Sequence, residues 1–350
     1  MDKYEIEDEE LEVREQELYE RFKFVADKGQ GLLRVDRYLT DKLAGISRNR
    51  IQEAANAGSI RVNDTAVKPN YRVKPLDVIT IHLTTPPVSY EITPQNIPIN
   101  IVYEDDEIIV VNKQPGLVVH PGIGNYDNTL LHALAWHLKD NQNIDLNNPN
   151  IGLVHRIDKD TSGLILVAKT VEAKSYLGKQ FYEKTTLRHY QALVWGNVKD
   201  NEGTICGYLA RNPNDRLQYA VSPEGENPFA KYAVTHYRVI ERLGYVTLVE
   251  CRLETGRTHQ IRVHMRHIGH PLFNDERYGG NVILKGTTAA HYKPFITNCF
   301  SVCPRQALHA KTLGFIHPRS GEQIFFDSEL PEDMQKLINK WREYCREYLC

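Results

Sequence analysis

The chain has 350 residues, with 43 Lys and Arg against 45 Asp and Glu, a formal charge of −2, and 41% hydrophobic residues. This is globular composition, too apolar for a disordered chain and long enough for two or three domains. Its apolar runs, such as residues 108–111, fall far short of the roughly 20 residues a membrane helix needs, and the acidic start without an apolar stretch speaks against a secretory signal.

The charge is unevenly distributed. Residues 1–33 hold eleven acids against five bases, and residues 34–83 hold nine bases against five acids. The change of sign near Leu33 marks a boundary, and a short basic module suits a polyanion as well as a solvated face. Residues 1–30 are Glu-rich, with Leu11, Leu18 and Phe22 at near-helical spacing, and read as a partly ordered helical arm. From Arg34 the pattern sharpens. Val35, Tyr38, Leu39 and Leu43 share one helical face, and Ile51, Ala54 and Ala55 form the inner face of a second helix that Ser47 can cap. Short extended runs at 60–63 and 66–68 and a strand at 78–83 complete the module. Arg37, Arg48, Arg50, Arg61 and Lys68 lie mostly off its apolar positions.

Residues 84–99, rich in Pro and Thr, read as a linker. Beyond it, strands are expected at 108–112, 163–168, 189–195 and 245–253, and helices at 129–138, 171–183 and 331–349. Strands and helices intersperse without regular βαβ alternation, so the class is α+β.

Three stretches are able to carry chemistry. In 152–169, GLVHRIDKDTSGLILVAK, Asp158 sits on a tight turn between apolar runs. A carboxylate that stays ionised in an apolar cleft needs a cationic partner, although the same spacing fits an Asp that caps the turn or pairs with Arg156. In 253–280, Thr258 can cap a helix with the apolar stripe Ile261, Met265 and Ile268. Arg262 then lies one turn in, pointing away from that stripe, as a partner for Asp158 or as a surface arginine. In 188–196, RHYQALVWG, strand alternation sets Arg188, Tyr190, Ala192 and Val194 on one face, so Tyr190 faces the core or a cleft where it can stack on a base. His259, His264, His267 and His270 cluster without the His-x3-His spacing of a helical zinc pair, and hydrogen-bonded or solvated histidines are the simpler reading. The six cysteines form neither a disulfide framework nor a zinc pattern. Cys299 and Cys303 make a lone Cys-x3-Cys pair, and free thiols fit a reducing cytoplasm.

The stretches RVDRYL, SRNRIQ, GSIRVND and VKPNYRV…LDVITI resemble the S4 RNA-binding domain. VNKQPGLVVHPG, HRIDKDTSGLILVAK, LRHYQALVWG, LETGRTHQIRVHMRHIGHPLFNDERYGG and RQALHAKTLGFIHP resemble, in order, the motifs of the RluA family of pseudouridine synthases, in an RluD-like arrangement. The resemblance covers about residues 34–335. It implies an acidic extension at 1–33, an S4 domain of the α-L type at 34–83, a linker at 84–99 and a catalytic domain at 100–350 with a mostly antiparallel mixed sheet. It further implies an isomerase acting on uridines of RNA, large-subunit ribosomal RNA foremost, with no cofactor, no metal, a cytoplasmic setting and a monomer as the default. Asp158 would be the nucleophile, Tyr190 the active-site tyrosine, Arg262 the partner of Asp158, and Arg156 the residue that enters the RNA stack. Arg37, Arg48, Arg50 and Lys68 would hold RNA. Three departures stand out: Leu76, where Gly is common in S4 domains, Arg188, where Lys is commoner, and Phe273-Asn274, where small residues are common. The last two are expected to touch RNA contacts and not the chemistry. A non-catalytic RNA-binding or ribosome-assembly factor that keeps the fold is the alternative, and a metal-dependent RNA hydrolase using the histidines is a third reading.

Overall fold

A computed structural model describes residues 19–43, 48–83, 92–122, 125–139, 152–213, 215, 218–227 and 229–349. These fall into two units, 1–89 and 90–350, each with its own apolar core. The first runs β1 (Tyr19–Val25), β2 (Leu33–Arg34), α1 (Val35–Lys42), α2 (Arg48–Asn56), β3 (Ile60–Val62), β4 (Thr65–Ala66), β5 (Arg72–Val73) and β6 (Val78–Leu83).

Its helices bury the side chains whose spacing predicts them, Val35, Tyr38 and Leu39 on α1 and Ile51 and Ala55 on α2. Asp36, fully buried in the first turn of α1, accepts bonds from Gln52, Arg34 and Arg48. Burial works against its charge, but these three donors hold its carboxyl down to about 2. Arg48 therefore pins α2 to α1. Its Nε and Nη2 both reach Asp36 Oδ2 at 3.1 Å, and its side chain stays half-exposed. Arg37 and Lys68 are exposed, and the side chain of Arg50 lies outside the described residues, as do Gly45 and the Ser47 cap.

The acidic segment differs from the expected helical arm. Its described part is the strand β1, paired antiparallel with β6 in the order β1-β6-β3-β4, with Phe22 opposite Ile81 and Phe24 opposite Ile79. Beyond a register shift between Glu20 and Phe22, aromatic and charged residues alternate over Phe22, Lys23 and Phe24, a period of two that a pleated strand satisfies and a helix does not. Leu11 and Leu18 lie outside the described residues. Leu76 adopts φ +66°, the left-handed conformation that explains why Gly is common there.

The second unit runs β7 (Asn100–Glu104), β8 (Ile108–Lys113), α3 (Leu130–His137), β9 (Ser162–Ala168), α4 (Val171–Glu183), β10 (Leu187–Trp195), β11 (Glu202–Arg211), β12 (Tyr219–Ser222), β13 (Lys231–Leu243), β14 (Val246–Leu253), α5 (Gln260–His267), a 3₁₀ turn (Glu276–Tyr278), α6 (Tyr292–Val302), β15 (Leu308–Ile316), β16 (Gln323–Asp327) and α7 (Glu332–Tyr348). Among the described residues its sheet has ten strands, in the order β12-β11-β13-β14-β10-β15-β9-β8-β7 with β16 also on β15. Of these pairings only β9 with β15 is parallel, so the sheet is mixed and mostly antiparallel. The fold is α+β. Residues 92–99, read as linker from sequence, bring Ile92, Ile97 and Ile99 onto the core of this unit.

The centre of the sheet is covered on both faces. Along β9, Ile165 and Val167 enter one core while Leu164, Leu166 and Ala168 enter another, where Ala173 and Leu177 of α4 cover them. That is why all seven residues of β9 are buried and its sequence shows no polar alternation. Gly163, at φ +113°, sits where a Cβ would lie 2.2 Å from the Ala310 carbonyl oxygen, so the parallel pairing that carries the preceding turn to β15 requires glycine. No described helix is long and apolar enough to cross a membrane.

Candidate active site

The turn before β9 carries Asp158, and its backbone is held by hydrogen bonds to successive carbonyls. The Asp158 carbonyl accepts from Thr161 N–H, the Lys159 carbonyl from Gly116 N–H and from Lys113 Nζ at 2.8 Å, and the Asp160 carbonyl from Arg305 Nη1 at 2.8 Å. Lys113 is buried and gives its other two bonds to the carbonyls of Gln114 and Leu117. Burial pulls its amine down to about 7, opposed by Asp160. Arg305 is anchored in turn on Asp333.

Asp158 Oδ2 accepts from Arg262 Nη1 at 3.0 Å. Among the described residues Oδ1 accepts no hydrogen bond. Arg262 is 7% exposed, well away from the surface reading. Its Nε and Nη2 fork onto the fully buried Asp275 at 2.7 and 2.8 Å, and its guanidinium lies over the Tyr278 ring. Burial works against this cation, but Asp275 and then Asp158 hold its pKa above the ordinary value. Asp275 escaped the sequence reading. It lies thirteen residues after Arg262, beyond the helix turn on which a partner would be sought.

Helix α5 begins at Gln260, not at a Thr258 cap. His259 precedes it in a left-handed conformation and offers no side-chain cap. The side chain of Gln260 sets this start, because its Oε1 accepts from both the Thr255 hydroxyl and Arg257 N–H and closes the loop before the helix. The Tyr278 hydroxyl accepts from Tyr219 N–H and lies 2.8 Å from His259 Nδ1. Burial pulls the imidazole down to about 4, which leaves it neutral at pH 7, and its Nε2 faces Asp158 Oδ2 at 4.0 Å.

Tyr190 sits on β10 opposite Ala310 of β15, which in turn pairs with Gly163 at the end of the Asp158 turn. It is 8% exposed. Burial raises the pKa of its phenol, opposed by Arg188 and reinforced by Asp158. Asp158, Tyr190, Arg262 and Arg156 line one cleft of about 110 Å³, walled by Ile157, Leu253 and Leu308. Arg156 is exposed and stands where this cleft meets a wider cavity of about 500 Å³ that shares Asp158, His259 and Arg262. Arg188 also lines the first cleft, beside Tyr190 and Asp158. It shares a strand face with Tyr190 two residues on, and that alternation was the available signal. Asn274 lines the wider cavity and anchors its loop by donating to the carbonyls of Phe300 and Cys303. His264 bonds Thr235, His270 bonds the Trp195 carbonyl and His267 is exposed, and no described cluster of His, Cys, Asp and Glu is arranged to hold a metal.

Comparison with known proteins meets this geometry. The RNA pseudouridylate synthase family profile matches residues 107–267, and the S4 domain profile matches residues 33–79. An uncharacterized RNA pseudouridine synthase of Chlorobaculum parvum is 43% identical over 316 residues, 90% of this chain and 96% of that protein. Ribosomal large subunit pseudouridine synthase D of Zymomonas mobilis is 43% identical over 307 residues, 87% of this chain and 92% of that protein. The solved structure of human RNA pseudouridylate synthase domain containing 4 shares the fold, with a TM-score of 0.51 at 21% identity over 69% of this chain and 93% of its own. The chain therefore belongs to the RNA pseudouridine synthases of the RluA type, isomerases, and carries an S4 domain on its N-terminal side.

Proposed function

We propose that this synthase isomerises uridines of large-subunit ribosomal RNA, and that Asp158 carries the chemistry. The single supporting observation is one ring-sized cleft in which a carboxylate, paired through Oδ2 with a doubly anchored Arg262, stands beside Tyr190. The reaction breaks the C1′–N1 bond, turns the same uracil and joins C1′ to C5, whose proton leaves to solvent. Asp158 Oδ1, left without a partner in the described structure, is the oxygen that engages the nucleoside, while Arg262 holds Oδ2 and fixes the direction of attack. Tyr190 stacks on the uracil. The base leaves the helix stack at a cost of a few kcal/mol, and Arg156 at the cleft mouth fills the place it vacates. The S4 domain holds flanking phosphates through Arg37, Arg48, Arg50 and Lys68. Ribosomal RNA as the substrate is supported by the similarity to large-subunit synthases.

Asp158→Asn is expected to abolish tritium release from C5-labelled uridine in a large-subunit transcript while leaving RNA binding measurable. A variant with wild-type release overturns the assignment. A site-resolved pseudouridine map of ribosomal RNA from cells with and without the gene tests the substrate, and an unchanged map refutes it.

A further inference from the structure

Two buried guanidinium groups line the cleft, and they are treated very differently. Arg262 has two carboxylates. Arg188, 7% exposed, has none among the described residues. Its Nη2 makes a long bond of 3.5 Å to the Glu254 carbonyl, its Nε is shut off from solvent without a partner, and its guanidinium lies 5.4 Å over the Phe181 ring. His155 also stacks on that ring, at 4.6 Å. His155 is neutral, because burial pulls it down to about 3, and its Nε2 accepts Leu166 N–H. A guanidinium has five N–H donors in a fixed fork, and leaving them unpaired in a buried site is costly. Gly256 packs close beside this cation, where a Cβ would stand 2.9 Å from Arg188 Nη1.

We infer that Arg188 is a specificity-determining residue whose guanidinium donates to an exocyclic carbonyl oxygen of the target uracil. The inference rests on reading this cleft as the uracil pocket. A ring lying against Tyr190, on the same strand face two residues away, brings its carbonyl edge to the unfilled donors. The bound base thus completes a hydrogen-bonding set that the protein leaves open, and binding is strongest for a ring with a good acceptor at that edge.

The test uses the full chain and a synthetic RNA stem-loop spanning a mapped site, with uridine, 2-thiouridine or 4-thiouridine at the target. For the wild-type protein, one of the two thio replacements is expected to lower kcat/KM about ten- to a hundredfold, and which one identifies the oxygen. Arg188→Met is expected to lose a similar factor on ordinary uridine and to become indifferent to that replacement. Arg188→Lys, with the charge but not the fork, is expected to fall between and to stay sensitive, and melting curves confirm that both variants fold. Wild-type kcat/KM in Arg188→Met overturns the inference. So does a loss in that variant when neither thio replacement affects the wild type, which assigns the cation to the backbone. No product from the wild type on ordinary uridine refutes the prior reading of the cleft instead.

Discussion

Asp275 offers the sharpest test of how Asp158 is held. Asp275→Asn keeps the shape of the side chain and removes its charge. In the native structure Arg262 sends two of its donors to Asp275 and one to Asp158, so two thirds of its bonded fork rests on a fully buried residue. An asparagine offers one oxygen and one NH2 in place of two oxygens, so one arm of the fork faces a donor. Removing one partner of a buried pair costs about 3–5 kcal/mol, and because Arg262 keeps Asp158 the lower end applies, about 3 kcal/mol. For a unit of this size that is a fall in Tm of about 6–12 °C. Activity should fall further than stability suggests. A guanidinium free to tilt carries Asp158 Oδ2 with it, and a displacement of about 1 Å at a reacting group costs about a hundredfold in rate. Single-turnover conversion of a large-subunit transcript, below the melting range, measures the rate, and calorimetry measures Tm. An Asp275→Asn protein that melts within about 2 °C of wild type and turns over at the wild-type rate would refute the view that Asp275 orients the catalytic pair.

Leu76→Gly relieves a left-handed backbone on an exposed side chain, worth about 1–2 kcal/mol, against about 0.5–1 kcal/mol of added chain entropy. Amide exchange in β6 should slow by a factor of a few, and faster exchange would show that the Leu76 side chain stabilises the turn. Below neutral pH the second unit should lose stability early. His259, His264 and His309 are pulled by burial to about 4 from 6.5, so the unfolded chain takes up protons first, and the native state weakens as pH falls from about 6.5 towards 4. Each contributes up to about 3 kcal/mol once pH is well below 4. A Tm that stays level between pH 6.5 and 4.5 would contradict this, and His264→Asn should flatten part of the slope.

The elements readable from sequence are those whose pattern is complete within a few residues. The stripe Ala173, Leu177, Phe181 predicts α4 over 171–183, and its ends fall there because the Thr170 hydroxyl accepts Ala173 N–H and Lys184 turns left-handed. The strand at 78–83 is likewise found at those bounds. β1 is obscured because it follows the Glu-rich segment without a break, and its alternation gains meaning only when Ile79 and Ile81 of β6 lie opposite. The start of α5 was missed by one residue for a similar reason: Gln260 closes the loop with a side chain, and a search for Ser or Thr caps does not see it.

The site divides along the same line. Asp158, Tyr190 and Arg262 stand in motifs whose order marks them, and the structure brings all three into one cleft. The residues that hold them do not stand out, because what they bind is backbone. Lys113 and Arg305 lie far from Asp158 in sequence and donate to the carbonyls of Lys159 and Asp160, which have no side-chain signature. Their placement has a physical logic. A tight turn that presents a carboxylate to a cleft points its own carbonyls inward, and inward carbonyls without donors are costly to bury. Buried cations satisfy several of them at once, and their charge offsets part of the repulsion among Asp158, Asp160 and the aligned carbonyl dipoles. A neutral donor such as glutamine would satisfy the carbonyls but not that repulsion. The depressed amine of Lys113 is the local cost of this arrangement.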